Sequence, residues 1–187
     1  MVRPPRNLLL CNDSYFHVAW RCHNREWLLN NDIAKQKYYD LLLKYKDRHL
    51  VTFYAYQLME NHLHLVGHMA ILEEFSALFR IVNGLFARFM NRSLKRCGQL
   101  IADRFISKRI TDDRQMLSVM IYNDLNGVRA GRDKSPEESE WSSYRHYAYG
   151  SRDELIITAP SYLTLSDCPA KRRKEYRIFV RGMMKSV

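Results

Sequence analysis

Two strand-like runs separated by only two residues constrain this chain more than any other feature. Leu50 to Met59 is rich in β-branched and aromatic residues, and His62 to Met69 alternates HLHLVGHM. Such runs, split by the turn residues Glu60-Asn61, predict an antiparallel hairpin. A hairpin alone is marginal in water and needs further strands and a covering layer. Ser14 to Asn24, SYFHVAWRCHN, supplies another strand, with Asn24-Arg25 as a turn and the following EWLL as a short paired strand. Asn31 or Asp32 is placed to cap a helix running to about Arg48, with Ile33, Tyr38, Leu41 or Leu42 and Tyr45 along one stripe. Leu72 to Leu94 carries Leu72, Phe75, Leu78 or Phe79, Val82, Phe86 and Met90 at helical spacing. The stretch Gly98 to Ile110 is less regular. Thr111 or Asp112 caps a last core helix ending near Asn126-Gly127. Two long helices beside an antiparallel sheet predict an α+β fold close to the ferredoxin-like pattern.

Length and organisation agree with one domain and an appendage. The 187 residues suffice for a single core. Gly131 to Glu140 is a polar linker, and after about Gly150 the character changes towards the basic, helix-forming AKRRKEYRIFVRGMMK. The expected division is a catalytic or binding domain over 1–150 and a basic tail over 151–187. Four cysteines at 11, 22, 97 and 168 lack the close spacing of a zinc site and are too few for a disulfide scaffold. With no bilayer-length apolar run and no signal-peptide start, the expected setting is cytoplasmic, with no membrane partner.

Charge narrows the partner. Thirty Lys and Arg face twenty Asp and Glu, a net charge of +10. Most of it lies between Arg80 and Ile110, where Arg80, Arg88, Arg92, Lys95, Arg96, Arg104, Lys108 and Arg109 meet one acid, Asp103. Such a one-sided run favours phosphates, and interleaved aromatics can stack on unpaired bases. Of the aromatics here, Phe86 and Phe89 fall in the apolar helix stripe and are expected in the core.

Two local patterns could carry chemistry. His62 and His64 stand at i and i+2 on a strand, so both imidazoles project from one face. Side by side they can chelate a divalent ion or simply form a surface pair. His68, two steps further along that face, reads as an ordinary polar position. On the last core helix, Gln115, Ser118, Tyr122, Asn126 and Arg129 form a polar stripe. A phenol there either packs its ring or acts as a nucleophile on phosphorus, and Asn126 lies one turn away.

These patterns meet a family resemblance. RPPR (Arg3 to Arg6), FHVAWRCHNR (Phe16 to Arg25), YQLMENHLHLV (Tyr56 to Val66), DRFISKRI (Asp103 to Ile110), YNDLNGVRAG (Tyr122 to Gly131) and WSSYRHY (Trp141 to Tyr147) occur in order. Together they resemble the REP-associated tyrosine transposases, relatives of the single-tyrosine insertion-sequence transposases of the HUH superfamily. The resemblance implies a single-strand DNA endonuclease and strand-transferase that cuts beside hairpins through a 5′-phosphotyrosine. It implies Tyr122 as nucleophile and His62, His64 and Asn126 as ligands of Mg2+ or Mn2+. It implies single-stranded or hairpin DNA as partner, held by the Arg80 to Arg109 region, and a monomer or homodimer. Two departures stand out: Asn126-Gly127 replaces the family's Asn-Pro, and Asn123-Asp124 replaces its Ile-His. Gly127 is expected to permit a sharp turn, and Asp124 to add charge near the helix end. Two other readings are a catalytically silent binder of structured DNA and an RNA-binding ferredoxin-like module. The RNA module requires exposed aromatics such as Phe53, Tyr54 and Tyr56 on the central strands. The tail either covers the site or binds DNA.

Overall fold

The structure, a computed structural model, describes residues 10–102 and 105–184. The Arg3 to Arg6 motif, Asp103 and Arg104 lie outside the described residues.

Strand β1 (Ser14–Arg21) is followed by α1 (Asp32–Tyr45), β2 (Val51–Leu58), β3 (His62–Met69), α2 (Leu72–Ser93) and β4 (Ile106–Ile110). The sheet order is β2-β3-β1-β4, every pair antiparallel. This is a β-α-β-β-α-β order in which each crossover skips one strand, and the ferredoxin-like α+β expectation is met.

Strand alternation decides which face α1 and α2 cover. Phe16, Val18 and Trp20 of β1 point into one layer and are buried. Phe16 meets Phe75 of α2 with ring centroids 4.7 Å apart. Trp20 Nε1 donates to the Tyr38 hydroxyl of α1 at 2.7 Å, and that hydroxyl donates to Asn83 of α2 at 2.9 Å. The polar tips of this layer are therefore satisfied inside it. Asn31 caps α1 by accepting from the Ala34 amide at 2.8 Å. Ile33, expected in the α1 stripe, is exposed.

Two elements differ from the sequence expectation. Glu26 to Leu29 is not a strand: Asn24 and Arg25 take positive φ, which breaks the extended run. The segment instead folds over the end of the sheet, with the Leu29 amide donating to the Glu60 carbonyl. Conversely, the irregular stretch before Thr111 holds β4. It is an edge strand carrying exposed Lys108 and Arg109, and charge on an edge obscures a strand signal while discouraging unwanted pairing.

The chain then crosses to the other face. Helix α3 (Asp113–Asp124), capped by Asp112, packs over β2 and is followed after Leu125 by the short α4 (Asn126–Arg129). Helices α5 (Tyr144–Tyr149), α6 (Pro160–Leu163) and α7 (Pro169–Met184) complete the described residues. Tyr147, Tyr162 and Tyr176 from these three helices form a ring cluster with centroids 4.7–5.5 Å apart. Among the described residues no helix is long and apolar enough to cross a membrane.

Candidate active site

On β1 the residues between the core positions, His17, Ala19 and Arg21, share the face opposite α1 and α2. The β1–β3 register sets Arg21 against His62 and Ala19 against His64. The two histidine rings stand side by side with centroids 5.2 Å apart. The Tyr122 ring of α3 approaches His64 at 6.2 Å, and the Arg129 guanidinium lies 4.8 Å from the Tyr122 centroid. Packing of α3 on the sheet thus brings together, from two segments, the two histidines of β3 and the tyrosine singled out in sequence. Tyr122 remains 38% exposed, open to a ligand.

The histidines are held as neutral bases. His62 Nδ1 lies 2.6 Å from Asn61 Oδ1, and Asn61 Nδ2 donates to the Arg25 carbonyl. The Asn61 oxygen can only accept, so His62 Nδ1 carries the hydrogen and Nε2 the lone pair. Burial lowers the His62 pKa, and the nearby Arg21 lowers it further. Burial, with His17, His62 and Arg21 adding to it, pulls His64 down to about 3. An imidazole that stays neutral keeps a lone pair for a metal ion.

Asn126 begins α4, is buried, and its amide nitrogen has no hydrogen-bond partner. Among the described residues no cluster of three His, Cys, Asp or Glu side chains forms a cation site. Two neutral imidazoles whose Nε2 atoms keep lone pairs fit a divalent ion, and the Asn126 carboxamide one turn from Tyr122 is of the donor type that would complete the set. A side-chain amide supplies the oxygen that Mg2+ or Mn2+ favours.

Sequence reasoning missed several residues here. His17 and Arg21 flank the histidines because of strand pairing alone, and Lys108 of the basic run lies directly opposite His17. Trp27, 53% exposed, carries the Arg132 guanidinium 3.9 Å from its ring centroid, and Arg132 pairs with Glu60, two residues before His62.

The basic run is divided by the sheet. Lys108 shares the histidine face, whereas Arg80, Arg88 and Arg92 belong to α2 on the opposite layer. Lys95 follows α2 and is exposed, Arg96 is paired with Glu26 at 2.9 Å, and Arg109 sits opposite core-facing Phe16. Phe86 is buried as expected, and Phe105 is buried as well. Phe53, Tyr54 and Tyr56 are also buried, which removes the stacking platform an RNA-binding sheet requires.

Both sequence departures have structural reasons different from those expected. Gly127 is not at positive φ; a Cβ there would collide with the Asp133 carboxylate and crowd Ser139, so any larger residue must displace those side chains. Asp124 is not a surface charge. It is fully buried, and its Oδ2 accepts a 2.6 Å hydrogen bond from Tyr176 of α7.

Compared with known proteins, residues 11–121 match the family model described as "Transposase IS200 like". One similar solved structure is described as a REP-associated tyrosine transposase bound to a REP hairpin. It is 16% identical, with a TM-score of 0.63, over 85% of this chain and 92% of that one. Another, a putative transposase from Deinococcus radiodurans, is 16% identical with a TM-score of 0.43, over 66% of this chain and 97% of that one. No curated protein matches.

Proposed function

The chain belongs to the IS200-like transposase family, and from that premise we propose that it nicks and rejoins single-stranded DNA beside a hairpin, with Tyr122 as nucleophile. The observation that carries this reading is the half-exposed Tyr122 ring against His64, beside His62 and under Arg129. The histidines of β3, the tyrosine of α3 and the arginine of α4 meet there on the face of the sheet that α3 covers.

In the forward step the Tyr122 oxygen attacks the scissile phosphorus. A P–O bond to tyrosine forms and the bond to the 3′-oxygen breaks, leaving a 5′-phosphotyrosine. The phenol proton ends, in net terms, on the released 3′-hydroxyl. One phosphodiester replaces another, so a 3′-hydroxyl can displace the tyrosine and reseal a strand. His62, His64 and Asn126 would hold a divalent cation, Mg2+ or Mn2+, which when bound supplies Lewis-acid polarisation of the phosphate. Arg129, stacked on the nucleophile's ring, and Arg21 and Lys108 beside the histidines provide positive charge for the phosphate backbone. The exposed basic residues of α2 and Lys95, with Arg96 and Arg109, provide the wider phosphate-binding surface, and the solved relative's REP hairpin supports a hairpin as ligand. Residues 1–150 carry this chemistry. The tail after 150 braces it, since Tyr176 bonds to the helix that bears Tyr122.

The test is a fluorescent oligonucleotide with a hairpin and a single-stranded flank, incubated with Mg2+ or Mn2+ and resolved on a denaturing gel. A covalent adduct is expected with the parent and none with Tyr122→Phe. An adduct surviving Tyr122→Phe refutes the nucleophile. Hairpin binding by the parent without any adduct makes the protein a silent binder.

A further inference from the structure

His17 has no part in the roles assigned above, yet it makes the closest polar contact that His64 has. Its Nε2 lies 3.0 Å from His64 Nδ1, and the two rings meet edge to edge and nearly coplanar, with centroids 5.3 Å apart and 20° between their planes. His17 comes from β1 and His64 from β3. They sit on the same face as diagonal neighbours, because His17 is registered against Val66 and Ala19, two residues on, against His64.

A hydrogen bond between two neutral imidazoles requires one nitrogen to donate and the other to accept. Either direction satisfies the bond, but only one suits a ligand. If His64 Nδ1 carries the hydrogen, its Nε2 presents a lone pair, as His62 Nε2 already does through Asn61. If His17 Nε2 donates instead, His64 Nε2 carries a hydrogen and cannot ligate. Ligating histidines ordinarily donate their second ring nitrogen to a fixed acceptor, which sets tautomer and ring orientation. For His62 that acceptor is Asn61. For His64 the residue in the equivalent place is His17. His17 does not join the other two as a third nitrogen, since no three-histidine cation site forms among the described residues.

We propose that His17 is a positioning residue: its Nε2 accepts from His64 Nδ1 and locks His64 in the tautomer whose Nε2 keeps its lone pair, as that of His62 does. The proposal rests on the metal reading of His62 and His64. It adds a residue from the first strand to that site, and it makes a histidine serve where an amide or carboxylate usually does. Because an imidazole N–H donates in its own plane, the same hydrogen bond holds the His64 plane as well as its tautomer.

The experiment has two readouts, neither of which is cleavage. First, long-range nitrogen–proton spectra of the metal-free full chain report which His64 nitrogen carries the hydrogen. Nδ1–H is expected in the parent, and loss of that preference in His17→Ala; an Nε2–H tautomer in the parent overturns the proposal without reference to any variant. Second, Mn2+ alone is titrated into DNA-free protein. His17→Ala should bind about 10- to 100-fold more weakly, the range seen when an outer partner of a ligand is removed. His17→Gln, whose amide oxygen can accept from the same Nδ1–H, should stay within a few-fold of the parent. Unchanged affinity in His17→Ala, with loss in His64→Ala, overturns the positioning role and leaves the metal reading standing. Loss in both His17→Ala and His17→Gln makes His17 a ligand and overturns it too. Unchanged affinity in His62→Ala and His64→Ala overturns the metal reading itself.

Discussion

Replacing Asp124 by Asn should make the protein more stable, and increasingly so as pH rises. Asp124 is fully buried two residues beyond Tyr122, and its Oδ1 has no hydrogen-bond partner while Oδ2 accepts from Tyr176. Burial pushes its pKa up to about 7, with the Tyr176 hydroxyl working against that shift. The ordinary value is 3.8. Between those two values the folded chain holds a proton that the unfolded chain has released, so stability falls as pH rises through the window. At about 1.4 kcal/mol per pH unit, the carboxylate costs about 4 kcal/mol once pH exceeds 7. Between pH 5 and pH 8 the change is about 2–3 kcal/mol. Asn keeps an oxygen for the Tyr176 hydroxyl and cannot ionise. The stability difference between Asp124→Asn and parent, from urea unfolding at the two pH values, should therefore widen by about 2–3 kcal/mol. Comparing variant with parent cancels every other titrating group. A difference that stays level between pH 5 and pH 8 would refute the account of Asp124 as a buried, partly compensated acid. Tyr176→Phe bears on the same pair from the other side: it removes the hydroxyl that bonds Asp124 Oδ2 and should cost about 1–3 kcal/mol.

Further expectations concern the site and its surroundings. His17 and His64, drawn by burial down to about 4 and about 3, stay neutral when the unfolded chain's histidines take up protons below 6.5. In metal-free protein carrying Asp124→Asn, stability should thus fall as pH drops below 6.5. His17 alone accounts for about 2 kcal/mol at pH 5, and a melting temperature that holds steady from pH 7 to 5 would contradict it. Gly127→Ala forces a methyl group against Asp133 and Ser139 and should destabilise by about 1–3 kcal/mol; denaturant unfolding gives the answer. Lys108→Ala should weaken binding to a single-stranded oligonucleotide and reduce the salt slope by about 0.7, one phosphate contact. Arg88→Ala, across the sheet from the histidines, should have the smaller effect on cleavage; equal effects would mean that the DNA engages both layers alike.

What the residues alone determined here are the local periods. The alternation of His62 to Met69, the 22-residue apolar stripe of α2 and the cap at Asn31 are each written within one segment. So is the common direction of His62 and His64, because two residues along a strand always share a face. The family resemblance extended that to Tyr122, which the structure brings against His64. Tertiary structure alone decided the rest. An edge strand bearing Lys108 and Arg109 has no apolar alternation to betray it, so β4 exists through its pairing with β1. Asp124 reads as added charge near the helix end until α7, with Tyr176 fifty-two residues away, covers it. Gly127 reads as a turn until Asp133 and Ser139 occupy the space where its side chain would be. His17 is one of seven histidines in the chain, and nothing near it in sequence marks it. Its contact with His64 spans forty-seven residues and is set by strand register, a property of two segments together that neither carries by itself.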